Sequence, residues 1–132
     1  MKFTVLLLIL ALAGCGIIDP FAEGAIEVRG EIVTTNGTLP SCEVGLWQLQ
    51  RAWFRNLPDA LVQKDEVKGK FATGFLTDTA RHDYYFVVSC PGYPAKYTSP
   101  KFSHKGVERY KNPVELGKIV FDSKMSEPYV VP

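Results

Sequence analysis

The sequence lacks the residue clusters on which metal and redox chemistry depend. It has two histidines and three cysteines among 132 residues, and it contains no Cys-x-x-Cys pair. His82 and His104 stand alone in polar segments that are typical of loops. A redox-active dithiol or a metal site needs more ligands close together. We therefore predict no metal and no cofactor.

Signatures of hydrolytic catalysis are missing as well. No Gly-x-Ser-x-Gly motif is present to mark a serine nucleophile. The neighbouring carboxylates Asp65 and Glu66 would point to opposite faces of a strand, which prevents them from acting as an acid–base pair. The sequence thus predicts a protein that is not an enzyme.

Long apolar runs and a strong net charge are also absent from most of the chain. The formal net charge is +1, which gives no support to nucleic-acid binding. The single apolar run, residues 3–12, is shorter than the roughly 20 residues that cross a bilayer. The chain shows no tandem repeats, and its length suits one domain.

The apolar run has the form of an export signal. Lys2 precedes it, and the small residues of LAGC, ending at Cys15, follow it. These residues resemble the lipobox of bacterial lipoproteins, in which the cysteine is lipidated and becomes the new first residue. The resemblance implies a lipoprotein signal peptide at 1–14 and membrane attachment through acyl chains on Cys15. An ordinary secretory signal with an incidental cysteine is the alternative.

The residue after Cys15 bears on the destination of such a lipoprotein. An aspartate there would favour retention at the inner membrane, whereas this chain has Gly16. The resemblance therefore implies a lipid-anchored protein of the bacterial cell envelope, at the outer membrane and facing the periplasm.

Two cysteines, Cys42 and Cys90, remain beyond the signal. Cys42 is in phase with the apolar positions of the strand-like segment CEVGLWQ, and Cys90 with those of YYFVVSC. Both side chains would then point into one core, and exported proteins meet oxidising conditions. We expect a disulfide between them, which would stabilise the fold by about 4 kcal/mol.

Alternating apolar and polar residues predict an all-β domain over residues 25–122. Residues 15–24 are expected to form a tether, 51–64 a loop with one helical turn at 58–63, and 123–132 a flexible tail. Predicted strands occupy 26–34, 41–49, 70–77, 83–90, 96–103 and 115–121.

The order of several weak motifs resembles carboxypeptidase-regulatory-like domains. The matching segments are GEIVTTNGTLPSCEVGLWQL from Gly30, KGKF at Gly69, YYFVVSCPGY ending at Tyr93, and ELGKIVF at Gly117. The resemblance implies a single seven-stranded transthyretin-like (prealbumin-like) β-sandwich. Such domains are typically non-catalytic folding, docking or surface-binding modules. The insertion at 51–64 departs from the pattern.

We accordingly expect a membrane-anchored envelope lipoprotein whose sandwich binds an envelope protein or glycan. The alternative is a structural outer-membrane lipoprotein subunit of a secretion or export machine. Type VI secretion includes a lipoprotein of transthyretin-like fold with an inserted docking loop. Three aromatic residues would carry a docking role here, unless they seal one edge of the core: Trp47, Trp53 and Phe54.

Charge is distributed unevenly along the chain. Residues 19–66 hold eight acidic and four basic residues, whereas 96–118 hold six basic and two acidic ones. Opposite charges on neighbouring strands would produce this pattern without a partner. A basic patch for an acidic partner or for anionic lipid would also produce it.

Lipidation at Cys15 can be tested directly. We expect Cys15→Ser to yield a soluble or unprocessed protein that takes up no radiolabelled palmitate in growing cells. The wild-type protein should be labelled and should fractionate with membranes. Unchanged labelling of the variant would contradict the assignment.

Overall fold

A computed structural model describes residues 24–37, 39–52, 55–108 and 113–131. Three of the predicted site residues, Cys15, Trp53 and Phe54, lie outside the described residues. The described chain is all β, with no helix in those ranges. Its strands are β1 (Gly24–Thr34), β2 (Cys42–Gln48), β3 (Arg51–Ala52), β4 (Arg55–Asn56), β5 (Ala60–Val67), β6 (Lys70–Thr77), β7 (Arg81–Ser89), β8 (Tyr97–Thr98), β9 (Phe102–Lys105), β10 (Val114–Phe121) and β11 (Tyr129–Val131).

The strands form two main sheets and one small hairpin. Sheet A has the order β11-β10-β1-β6, and its β1–β10 pair is parallel. Sheet B has the order β5-β2-β7, and both β8 and β9 pair with the free edge of β7. The short strands β3 and β4 pair only with each other in the described residues. This arrangement agrees with the predicted β-sandwich.

The core lies between the two sheets and draws on both. Residues of β1, β2 and β7 are buried largely in alternation, as expected for strands with one face on a core. Sheet A contributes Ile26, Val28, Ile32, Phe75, Leu116, Ile119 and Phe121, and sheet B contributes Val44, Leu46, Tyr84, Phe86 and Val88. The alternation in the sequence therefore identified the buried faces of the principal strands.

A bulge in β10 keeps that strand in phase with the core. Arg29 pairs with Glu115 and Glu31 with Lys118, so two residues of β10 lie opposite Gly30. The second of them, Gly117, has a φ of 78°, which a glycine adopts without strain. Because of the extra residue, the buried positions of β10 shift by one beyond the bulge.

The predicted disulfide is confirmed. Cys42 begins β2, Cys90 directly follows β7, and a disulfide joins them across the antiparallel pair, with their Cα atoms 4.4 Å apart. Both residues belong to the core cluster, as their phase in the sequence indicated. The bond closes a loop over 48 positions of the chain.

The helical turn predicted at 58–63 is wrong. Residues from Ala60 onward form β5, which pairs with β2 along its whole length. Leu61, whose spacing from Leu57 suggested a helix, is 44% exposed and so is not part of a buried helical face. Strand pairing satisfies the backbone groups here, and it overrides the weak local periodicity.

The C-terminal residues predicted as a flexible tail are partly a strand. Residues 129–131 form β11, which covers the outer edge of β10, with Ile119 opposite Val130. Pairing with an otherwise open sheet edge supplies hydrogen-bond partners that the sequence pattern did not reveal.

The segment predicted as one strand at 96–103 is interrupted. It is divided into β8 and β9 around Ser99 and Pro100. At the break, Ser99 Oγ accepts a hydrogen bond from the Phe86 N–H at 2.8 Å, and the Ser99 N–H donates to the Phe86 carbonyl at 2.8 Å. The Ser99 hydroxyl thus takes the place of a backbone carbonyl as the acceptor for the Phe86 N–H at the break.

Three chain segments cross closely at one end of the sandwich. The Ala25 N–H donates to the Gly106 carbonyl at 3.1 Å, and the Gly106 N–H donates to the Ala80 carbonyl at 3.1 Å. A Cβ on Gly24 would lie 2.6 Å from Gly106 Cα, and a Cβ on either glycine would collide with the Asp78 carbonyl oxygen. Only glycine fits at both positions, and the crossing joins sheet A to sheet B.

We expect Gly106→Ala to lower the free energy of unfolding by about 3 kcal/mol, because the new methyl group would meet backbone atoms that cannot turn aside. Gly74→Ala is the matched control, since a Cβ there meets no heavy atom within 4 Å. Its effect should stay below about 1 kcal/mol. Urea unfolding followed by tryptophan fluorescence measures both, and similar losses in the two variants would contradict the close crossing.

Candidate functional site

The alternation that builds the core also builds a second surface, the outer face of sheet B. On β2, Cys42, Val44 and Leu46 are buried, so the residues between them point away from the core. Trp47 is one of these outward residues and is partly exposed. Of the two interpretations of the predicted aromatic cluster, the structure places Trp47 on a surface rather than at an edge of the core.

A groove of about 490 Å³ runs across this outer face. Its volume falls in the range of roughly 300–1,000 Å³ that is typical of ligand sites. The lining residues come from four neighbouring strands and the segments beside them: Asp59, Leu61 and Lys64 near β5, Glu43, Gly45 and Trp47 on β2, Tyr85, Val87 and Ser89 on β7, and Lys96, Thr98, Ser99 and Lys101 around β8. We call this surface the outer groove.

Two aromatic rings form part of the apolar lining of the outer groove, beside Leu61 and Val87. Trp47 and Tyr85 are register partners on β2 and β7, and their ring planes lie within 8° of parallel with centroids 6.4 Å apart. That separation is too large for direct face-to-face contact, so the rings are offset. A Cβ on Gly45 would lie 3.3 Å from Trp47 Nε1, which shows that the indole leans along the strand over this glycine. The two rings are therefore parallel and offset, and together they form an aromatic surface in the outer groove.

A carboxylate holds the tyrosine of this surface in place. The Tyr85 hydroxyl donates a hydrogen bond to Asp59 Oδ2 at 2.7 Å. Burial, then this hydrogen bond and the negative charge of Asp59, raise the pKa of Tyr85 to about 12. Tyr85 thus remains a neutral phenol at any physiological pH, and Asp59 Oδ1 still has lone pairs to accept from a ligand.

The charges of the outer groove are arranged by strand order. Glu43 and Asp59 lie on the β2 and β5 side, where Lys64 Nζ is 3.7 Å from Glu43 Oε2. Lys96 and Lys101 lie on the β8 side, and neither forms an ion pair within the described part of the chain. The groove is therefore polarised, with free positive charge at one margin.

The two histidines are not isolated in loops, contrary to the prediction. His82 on β7 lies directly opposite His104 on β9. His82 Nε2 lies 2.9 and 3.0 Å from the two Asp78 carboxylate oxygens, and His104 Nε2 lies 2.9 Å from the Ala25 carbonyl oxygen. Both rings are engaged with the close crossing near Gly106, which gives them a structural role in the fold.

The surroundings of the histidines do not assemble a catalytic triad or a metal cluster in the described ranges. Ser103 pairs with Asp83, one position away from the histidine pair, so Ser103 and His82 point to opposite faces. Groups of three or more residues able to ligate a metal are not found among residues 24–37, 39–52, 55–108 and 113–131. The same ranges contain no helix that is long and apolar enough to span a membrane.

The sequence pattern predicts one residue of the aromatic surface, Trp47, but not its partner, Tyr85. Trp47 was predicted as a partner-binding residue, and Tyr85 and Asp59 were not. The outward phase of Tyr85 between the buried Tyr84 and Phe86 was a signal that could have found it. Asp59 lies next to the Tyr85 hydroxyl because β5 pairs with β2, and the sequence did not reveal this pairing.

Comparisons with known proteins add no relative to this description. A scan against protein-family models found no match, and searches of curated proteins and of solved structures found no significant match either.

The pairing of Tyr85 with Asp59 predicts a measurable titration. Because the pKa of Tyr85 is raised from 10.0 to about 12, its contribution to stability is complete below pH 10 and is lost as the pH rises toward 12. We expect Asp59→Asn to lower the pKa of Tyr85 and shift this loss to lower pH. The measurement is ultraviolet titration of tyrosinate, with Tyr85→Phe identifying the signal of Tyr85. An unchanged curve in Asp59→Asn would contradict the assigned hydrogen bond.

Proposed function

We propose that this chain is a non-catalytic envelope lipoprotein, anchored through Cys15, whose β-sandwich binds a ligand or partner in the outer groove. The observation that carries the proposal is the parallel ring pair formed by Trp47 and Tyr85. Both rings are partly exposed, on a sheet face that no described segment covers. Aromatic side chains in such a position are enriched at binding surfaces.

Attachment to the envelope is supported from two directions. The N-terminal residues resemble a lipobox, and the disulfide between Cys42 and Cys90 fits an oxidising compartment. Residues 15–24 would serve as the tether, since β1 begins at Gly24. Fully extended, that tether spans at most about 35 Å, which keeps the sandwich near its membrane. We place the protein at the outer membrane, facing the periplasm, on the basis of Gly16.

We also propose that the sandwich is a transthyretin-like domain of the carboxypeptidase-regulatory-like kind. The two-sheet arrangement supports this, as does the position of the motif glycines. Gly37, Gly69, Gly92 and Gly117 all have positive φ, as turn and bulge glycines of a recurring motif would. Counting β8 and β9 as one interrupted strand, and leaving out β3, β4 and β11, gives the seven strands of that fold.

A second candidate function is a docking subunit of a secretion or export machine, in the manner of type VI secretion. The β3–β4 hairpin favours it, because this insertion follows directly on β2, the strand that carries Trp47. Trp53→Ala would then abolish partner binding while leaving the outer groove intact. Secretion genes beside this gene would also favour this candidate.

Photo-crosslinking in living cells tests the proposed binding surface. We expect p-benzoylphenylalanine in place of Thr98, an exposed residue of the outer groove, to form covalent adducts with a discrete envelope component. The same residue in place of Lys118, exposed on sheet A, is the control and should form none. Mass spectrometry of the adducts detects both proteins and glycans.

A second substitution links the adduct to the aromatic surface. Tyr85→Ala should abolish the adduct at position 98, whereas Tyr129→Ala, which removes an exposed tyrosine from β11, should not. Identical adducts from positions 98 and 118, or no adduct from position 98, would contradict the outer groove as the binding surface.

A further inference from the structure

We propose that the outer groove binds a saccharide that carries carboxylate groups, with a sugar ring against Trp47 and Tyr85 and a carboxylate at Lys96 and Lys101. This inference rests on the proposed function, because it names the ligand class of that same groove. It follows from the shape of the aromatic surface, the hydrogen-bonding groups around it and the unpaired charges at its margin.

The aromatic surface fits the face of a sugar ring. The rings of Trp47 and Tyr85 lie within 8° of parallel, and the absence of a side chain at Gly45 allows the indole to lie low over β2. A pyranose ring presents several C–H groups on one face, and these groups pack favourably on the electron-rich face of an aromatic ring. Either ring of this parallel pair therefore offers a surface on which the face of a sugar ring can pack.

The polar groups around the rings fit sugar hydroxyls. Asp59 accepts a hydrogen bond from Tyr85 through Oδ2, which orients the carboxylate and leaves Oδ1 available. Glu43, Ser89 and Thr98 line the same groove and supply further acceptors and hydroxyl groups. Saccharide hydroxyls both donate and accept, so they can satisfy carboxylates and hydroxyl groups together.

The lysines at the β8 margin select for negative charge on that saccharide. Lys64 is paired with Glu43, whereas Lys96 and Lys101 have no carboxylate partner in the described ranges. Two free ammonium groups on one side of the groove would attract an anion, and the acidic residues lie on the opposite side. A ligand that spans the groove therefore needs hydroxyl groups at one end and a carboxylate at the other.

Two other ligand classes fit less well. A peptide that adds a strand to a sheet needs a free edge, but the floor of this groove is a sheet face whose backbone groups bond within the ladders of β2 and β7. A nucleotide could stack on the rings with its phosphate at the lysines, but its flat base has few groups to pair with Glu43 and Asp59 on the other side, where a saccharide presents several hydroxyl groups.

Fluorescence titration of the full-length protein, purified from membranes in detergent, tests the proposal. A Trp53→Phe background leaves Trp47 as the sole reporter, since the chain has two tryptophans. The probes are chitohexaose, which is neutral, and two acidic saccharides of equal length. One is a peptidoglycan glycan strand stripped of peptide, with lactyl carboxylates, and the other is a hyaluronan hexasaccharide, with uronic acids. The two acidic probes distinguish a cell-wall source from a uronic-acid polysaccharide.

We expect at least one acidic probe to change the fluorescence of Trp47 and to bind at least about tenfold more tightly than chitohexaose. Tyr85→Ala should weaken that binding about tenfold, through loss of the ring contact. Lys96→Ala with Lys101→Ala should remove the preference for the acidic probe. Lys70→Ala with Lys118→Ala, two exposed lysines of sheet A, is the charge-matched control that should keep it. Raised salt should weaken only the acidic probes.

Two results would overturn the inference. Equal affinity for neutral and acidic probes would show that the lysines do not select the ligand. Failure of every probe to bind would show that the ligand is not a saccharide of these classes. Neither result would touch the proposed function, because the adduct at position 98 reports any occupant of the groove. Should Tyr85→Ala fail to fold, Asp59→Asn takes its place, since it loosens the tyrosine without removing the ring.

Discussion

The antiparallel pairing of β2 with β7 fixes both faces of sheet B at the same time. In this pair Leu46 lies opposite Phe86, and Trp47 lies opposite Tyr85. The first couple is fully buried in the core, and the second forms the aromatic surface outside it. A shift of one residue would break both couples and place Trp47 opposite Tyr84 or Phe86, which are core residues. The disulfide between Cys42 and Cys90 closes one end of this ladder and holds the register.

Residue alternation allowed much of the fold to be predicted, because the long strands β1, β2 and β7 each bury one face. The buried positions of β1, β2 and β7 and the partners of the disulfide could all be read from phase alone. Features that depend on distant pairing could not. Three features depend on hydrogen bonds with a neighbouring strand: β5, the short β11 and the break at Ser99. The local sequence pattern does not indicate these pairings.

The candidate site shows the same division. Trp47 stood out in the sequence as a large aromatic residue within an alternating segment. Its companions on the groove come from segments far away in the chain, so only the sheet order brings Tyr85, Asp59 and Lys101 beside it. The sheet order also determines where the unevenly distributed charges of the sequence lie in the fold. Acidic residues on the β2 and β5 side and lysines on the β8 side lie at opposite margins of one groove, with β7 between them.

The position of β1 has a mechanical consequence. This strand is the first of the described chain, and it lies in the interior of sheet A, paired along its length with β6 and β10. A pull applied through the residues before Gly24 would act along the strand and load both ladders in shear. Many hydrogen bonds would then have to break together, whereas a peeled edge strand loses them one at a time. The sandwich should therefore resist unfolding by a force applied at its N-terminal end. Gly106 packs against Gly24, the first residue of β1, and supports the strand at the point where the force would act.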